Sequence, residues 1–324
     1  MALFNTNDYN VYLDIPDDVK FTFYHLSQGN ILDIDKYLSG IYQSSPKDSM
    51  IILWGACNRL ITNDQRFETI NQYYKNNPNP LIVFNGAHTT AEFDFPYKEV
   101  CLFPYIVKSY HVNVDQPLLD KAKKFLFASS KDYPARRYLL NALYENDLFN
   151  QGFISYKCLV TDPTCDGLPM DLNQQVQDLL PLKGFDNTVE FYQIPRAVHD
   201  HSYLSIVTET YFTGPVYLSE KVFNAVAKHQ LFIYLGPAYS LKQLQNMGYK
   251  TFGHVIDESY DDIEDPSDRL AAVSKAMIEF LSQPIEQIKK IYWENLDIIT
   301  HNRKLLYQSE INREIVSAIQ SAIQ

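Results

Sequence analysis

Short apolar runs alternate with polar, helix-compatible stretches through the first third of the chain. Phe21-Thr22-Phe23-Tyr24 predicts a strand, Ile31 to Tyr42 a helix, and Met50-Ile51-Ile52-Leu53-Trp54 a buried strand ending at Gly55. Asp64 to Lys75 predicts a second helix, stopped by Asn76-Asn77-Pro78-Asn79-Pro80, and Leu81-Ile82-Val83-Phe84 is another fully apolar strand. Strand, helix, strand with strands apolar on both faces implies a parallel sheet covered by helices.

The pattern breaks near Val114-Asp115-Gln116-Pro117 and then restarts. Lys124 to Ala128 predicts a strand and Arg136 to Tyr144 a helix; Tyr203 to Val207 predicts a strand, Ser219 to Lys228 a helix, and Gln230 to Leu235 a strand closing at Gly236-Pro237. Leu241 to Met247 reads as a short helix ended by Gly248, and Asp265-Pro266-Ser267-Asp268 as the start of a longer one. From Ile285 onward the chain reads as helical. At 324 residues it is long enough for two domains. The expected outline is an α/β domain over residues 1–116, a second α/β domain over 117–284, and C-terminal helices over 285–324, with a cleft between the domains.

Composition narrows the class. The formal charge is −11, and residues 1–116 hold 13 Asp+Glu against 8 Lys+Arg, which disfavours an extended surface for phosphate backbones. No apolar run reaches the length of a membrane span, and the first residues lack the basic start and apolar stretch of a signal peptide, so a cytoplasmic protein is expected. The four cysteines, Cys57, Cys101, Cys158 and Cys165, contain no CxxC and read as reduced thiols. Most of the 24 Tyr and 19 Phe are expected in the core.

Chemistry concentrates in Glu209 to Asn224. A Gly214-Pro215 loop there joins a strand to a helix whose first turn carries Ser219, Glu220 and Lys221. A helix N-terminus offers free N–H groups and a positive dipole end to an anion, and Lys221 adds a full charge. Glu209 and Glu220 can accept hydrogen bonds from sugar hydroxyls. The structural alternative is that Ser219 simply caps the helix and Glu220 suits its dipole. A second basic group, Arg136 and Arg137, sits at the turn after the Phe125 strand.

Tyr217-Leu218-Ser219-Glu220-Lys221, followed by a helix and an apolar strand ending at Leu235-Gly236-Pro237, resembles the donor-binding signature of inverting GT-B fucosyltransferases. Ser219-Glu220-Lys221 with Gly248-Tyr-Lys-Thr-Phe252 and Asp257-Glu-Ser-Tyr-Asp261 is also similar to glycosyltransferases of tailed phages. The resemblance covers about residues 124–300. The fucosyltransferases' Glu-Asn-Ser is Glu209-Thr210-Tyr211 here, which leaves the donor sugar open. The resemblance implies a GT-B fold of two Rossmann-like domains facing a cleft, with C-terminal helices packing back on the first domain. It implies a glycosyltransferase (hexosyl- or pentosyltransferase) acting with inversion, in a host cytoplasm if viral. The donor nucleotide sugar would be held by Arg136, Arg137, Glu209, Tyr217, Ser219, Glu220 and Lys221, with Arg136 on the pyrophosphate. The acceptor would be a glycan or a hydroxymethylated base of phage DNA. The alternative class is a non-catalytic nucleotide- or glycan-binding protein.

The general base is expected from the first domain, in the loop after the Leu81 strand, where His88, Glu92 and Asp94 follow one another. No essential metal or other cofactor is expected. Asp33-Ile34-Asp35 opens a helix and reads as a cap, His199-Asp200-His201 lacks a third ligand, and the acidic run Asp257 to Asp268 reads as a solvated loop.

Overall fold

The computed structural model describes residues 2–6, 9–13, 20–25, 34–46, 49–55, 64–77, 79–85, 93–101, 103–110, 117, 120–129, 131–156, 171–179, 182–183, 196–308 and 311–323. His88, Glu92, Asp33, Cys57, Cys158 and Cys165 lie outside these residues. The strands are β1 Ala2–Thr6, β2 Tyr9–Leu13, β3 Phe21–His25, β4 Met50–Gly55, β5 Leu81–Asn85, β6 Tyr97–Glu99, β7 Lys123–Ser129, β8 Gly152–Tyr156, β9 Leu182–Lys183, β10 Ser202–Thr208 and β11 Leu231–Leu235.

The chain divides into two units, Met1–Ile106 with Ser309–Gln324, and Val107–Gln308. The division therefore falls between Ile106 and Val107 rather than at residue 116. Of the C-terminal helices, Ile285–Glu294 and Leu296–Gln308 belong to the second unit, and only Ile311–Ile323 to the first. The reason is visible in their packing. Ile285–Glu294 lies against β7 and β10, and Leu296–Gln308 against the Glu220–Ala227 helix, whereas Ile311–Ile323 lies against β2 and β5.

In the first unit β3, β4, β5 and β6 form an all-parallel sheet in that order, beside a separate β1–β2 hairpin. Ile51, Leu53, Leu81 and Val83 share one face because they alternate along their strands, and they pack with Leu38, Ile41 and Ile70 of the Ile34–Ser44 and Asp64–Asn76 helices. The intervening Ile52, Ile82 and Phe84 are also buried, as the unbroken apolar runs require.

The second sheet has the order β11-β10-β7-β8-β9, parallel except for the two-residue β9. Helices Glu220–Ala227, Pro266–Leu281 and Ile285–Glu294 cover it, and every residue of β10 and β11 is buried. This is an α/β fold with parallel sheets, compatible with a Rossmann-like organisation. After β7 the chain builds outward through β8 and β9, then returns to the other side of β7 for β10 and β11. The strand order therefore reverses between β7 and β10, and in open parallel sheets the crevice for ligands lies at the carboxyl ends of the strands flanking such a point.

Among the described residues no helix is long and apolar enough to cross a membrane.

Candidate functional site

Ser129 ends β7, Thr208 ends β10 and Leu235 ends β11, so the residues that follow them gather at one edge of the second sheet. Arg136, in the first turns of the Pro134–Glu145 helix, reaches across the reversal point. Its Nη1 donates to Ser129 Oγ at 3.0 Å and Lys131 O at 3.2 Å, and its Nη2 to Thr208 O and Glu209 O, both at 3.0 Å. The side chain is 4% exposed and its guanidinium stacks on Tyr133. Arg136 thus ties the β7 and β10 ends together, with its fork directed at Ser129 Oγ and at the backbone carbonyls that follow β7 and end β10. Arg137, expected beside it at the donor, forms a two-pronged pair with Asp132 at 2.7 and 2.8 Å. Burial would raise the Asp132 carboxyl, but hydrogen bonds from Arg137 and from Tyr156 at the end of β8 hold it below the usual carboxylate range.

The Glu209–Lys221 stretch closes into a compact network. The Glu209 backbone still donates to Leu235 O, so β10 and β11 run together to this point. Glu209 Oε1 accepts from Ser219 N–H at 3.1 Å and from Tyr234 OH at 3.0 Å, while Oε2 accepts from Ser219 Oγ at 2.5 Å. Ser219 is the N-cap of the Glu220–Ala227 helix, its Oγ accepting from Lys221 N–H. The Lys221 ammonium lies 3.0 Å from Ser219 Oγ, 3.0 Å from Glu220 Oε1 and 3.6 Å from Glu209 Oε2. Two carboxylates therefore face one ammonium at the positive end of a helix, in a largely buried setting where such charges interact strongly. Tyr217 packs edge-on to Tyr211 and is 7% exposed. Burial, then the Glu209 carboxylate, pushes the Tyr234 hydroxyl well above its ordinary range, so it remains a proton donor to Glu209.

The loop from Glu209 to Ser219 is anchored from the far side by Arg269, which donates to Phe212 O, Gly236 O, Ile263 O and Glu264 O and stacks on the Phe212 ring. The two further motif segments are largely structural. Tyr249 packs on Phe223 and Phe252 on Phe232. Glu258 accepts from Phe252 N–H, and Asp261 accepts from Leu241 and Lys242 N–H. The stretch read as a solvated loop is therefore partly a buried brace, because Asp261 finds the unpaired N–H groups of a helix 20 residues earlier in the chain.

No protein-family model matches this chain, and a search of curated proteins gives no significant match.

In the first unit, Asp94 is exposed and pairs with Lys75 at 2.6 Å, while its N–H donates to Asn71 Oδ1. Both partners belong to the helix that delivers the chain to the start of β5, and Asp94 itself precedes β6, which pairs in parallel with β5 from Val83↔Tyr97. Asp94 consequently lies at the amino edge of its sheet. The expectation of a group facing the crevice from a strand's carboxyl end does not hold for it, because a parallel crossover must carry the loop back to the opposite edge.

His199, one of the two histidines of the rejected metal motif, is buried with Nδ1 2.7 Å from Gln230 Oε1, and Gln230 Nε2 donates to Ser202 Oγ and O. It completes an internal polar network. Among the described residues no group of three or more His, Cys, Asp and Glu is placed to hold a metal ion. Sequence reasoning did not single out Tyr234, Asp132, Tyr156 or Arg269. Only Tyr234 carried a signal, as a phenol in an otherwise aliphatic and Phe strand whose hydroxyl needs a buried partner.

Proposed function

We propose that this chain is a glycosyltransferase that takes a sugar from a nucleotide-sugar donor bound at the carboxyl edge of the second unit's sheet. The observation that carries this reading is the closed Glu209–Ser219–Lys221–Tyr234 network beside the β7/β10 reversal. It holds hydroxyl acceptors, one ammonium and a capped helix N-terminus in one place, in the order of the resembled donor signature. In this reading Lys221 exchanges its pairing with Glu209 and Glu220 for the departing nucleoside diphosphate, which the helix N–H groups that Ser219 does not cap also neutralise. Glu220 accepts from the donor's hydroxyls, and Arg136 holds the two crevice walls rather than the pyrophosphate itself, since its fork is committed to four protein acceptors.

The reaction is a displacement at the anomeric carbon with inversion. The acceptor oxygen forms the new bond, the diphosphate leaves with the old one, and a base takes the hydroxyl proton. With Asp94 at the amino edge, the base is proposed as His88, three positions after the last residue of β5, ahead of Glu92. A GT-B arrangement, with the acceptor on the first unit, is part of the same proposal. Glycan and hydroxymethylated-base acceptors are separated by assaying both.

Lys221→Ala is expected to weaken nucleoside-diphosphate binding by about 1.5–3 kcal/mol, as for a lost charge-assisted bond. Calorimetry reading an unchanged affinity removes the site assignment. Donor hydrolysis without an acceptor separates an enzyme from a binding protein.

A further inference from the structure

Tyr239 stands apart from the other aromatic residues at this edge. It follows the end of β11 by four residues, is 37% exposed, and takes φ 65°, ψ 14°, a left-handed conformation that costs a bulky side chain energy. Of the described large hydrophobic residues only Leu179 and Trp293 share such exposure.

The ring is nonetheless held firmly. The Tyr239 backbone N–H donates to Asp261 O at 2.7 Å and its hydroxyl to Glu264 Oε1 at 2.8 Å, and Lys242 Nζ lies 5.8 Å from the ring centroid over one face. These anchors connect to the candidate site. Glu264 O and Gly236 O, on either side of Tyr239, both accept from Arg269, whose other nitrogen holds Phe212 O in the Glu209–Ser219 loop. One guanidinium thus fixes Tyr239 relative to the Glu209 network, and β10 and β11 are adjacent strands, about 4.8 Å apart.

We infer that Tyr239 is the stacking platform for the base of the bound nucleotide. This rests on the nucleotide-sugar reading above. An exposed ring on a strained, well-anchored backbone offers a flat apolar face at little further ordering cost. With a cation over one face, the other receives the planar ligand, and every nucleobase has a π-face to match it. The phosphates then run toward Lys221, at the start of the helix that follows the neighbouring strand β10.

The test is calorimetry with UDP, GDP, ADP, CDP and dTDP, and with inorganic pyrophosphate, on wild type, Tyr239→Phe and Tyr239→Gly. Glycine adopts φ 65° without strain, so the last variant should melt within a few degrees of wild type. The expected result is a 5- to 150-fold loss of affinity (about what a single stacked base contributes) for the preferred nucleoside diphosphate in Tyr239→Gly. Tyr239→Phe keeps the ring but drops its bond to Glu264 and should lose far less than Tyr239→Gly, and pyrophosphate should bind all three alike. Equal nucleotide affinity in wild type and Tyr239→Gly overturns the inference, as does a parallel loss of pyrophosphate. If wild type binds no nucleotide, the nucleotide-sugar reading itself falls and takes this inference with it.

Discussion

A Cβ added at Gly236 would collide with Tyr234 Cε1 and lie 3.1 Å from its hydroxyl. The Tyr234 ring is 2% exposed and its hydroxyl is committed to Glu209, so it has little room to yield. Gly236→Ala is therefore expected to cost about 1–3 kcal/mol of stability, as overpacking does, and to loosen the Glu209 network; urea denaturation checks the first and nucleotide affinity the second. A different residue adds a pH dependence in the alkaline range. Lys121 is 5% exposed, its Nζ donating to the carbonyls of His199 and Asp200 and lying over the Tyr292 ring, and burial pushes it down to about 8. The unfolded chain keeps that proton up to the ordinary lysine range, so between these values the unfolded state holds more protons and stability rises with pH. Relative to Lys121→Met, wild type should gain on the order of 1–3 kcal/mol between pH 7.5 and 10.5. Parallel pH profiles of the two proteins overturn this assignment.

The Ser240–Asn246 helix illustrates how an element can depend on a residue far along the chain. Its N-cap position is Tyr239, whose side chain supplies no cap, and the first N–H groups are instead satisfied by Asp261. Burial raises the Asp261 carboxyl against the pull of those backbone donors, a sign of how deeply the brace is set. Asp261→Ala should destabilise the second unit by about 1–2 kcal/mol. Hydrogen exchange should localise the loss to residues 239–246, and uniform protection there would show the cap to be dispensable. The neighbouring Pro266–Leu281 helix behaves conventionally: Asp265 accepts from Ser267 and Asp268 N–H, with Pro266 in the first turn.

Across the whole molecule, the last helix returns to the first unit. Ile315 and Ile319 are fully buried, and each such side chain contributes about 1.5–3 kcal/mol on burial. Set against a domain stability of roughly 5–15 kcal/mol, this is a large share. A chain ended at Gln308 is expected to lose the cooperative unfolding of residues 1–106 while residues 123–308 retain theirs. Limited proteolysis with fragment mapping reads this directly, and a protected first unit in the shortened chain would show the helix to be peripheral.

What the sequence determined by itself is local. The strands at Phe21, Met50, Leu81, Lys123, Ser202 and Leu231 and the helices between them follow from apolar periodicity and from punctuation by Gly and Pro. The Ser219 and Asp265 caps were legible because a capping side chain bonds N–H groups two or three residues away. The β1–β2 hairpin was not read, since its apolar residues are few and the polar stretch Asn5 to Asn10 interrupts them. Only the tertiary structure decided the strand order that reverses between β7 and β10, the burial of Arg136 across that reversal, the pairing of Tyr234 with Glu209, and the position of Asp94 on the amino edge. Each depends on groups 20 or more residues apart, which local propensity does not relate. Their bonds form because packing the sheet leaves carbonyls, N–H groups and charges that must find partners away from water.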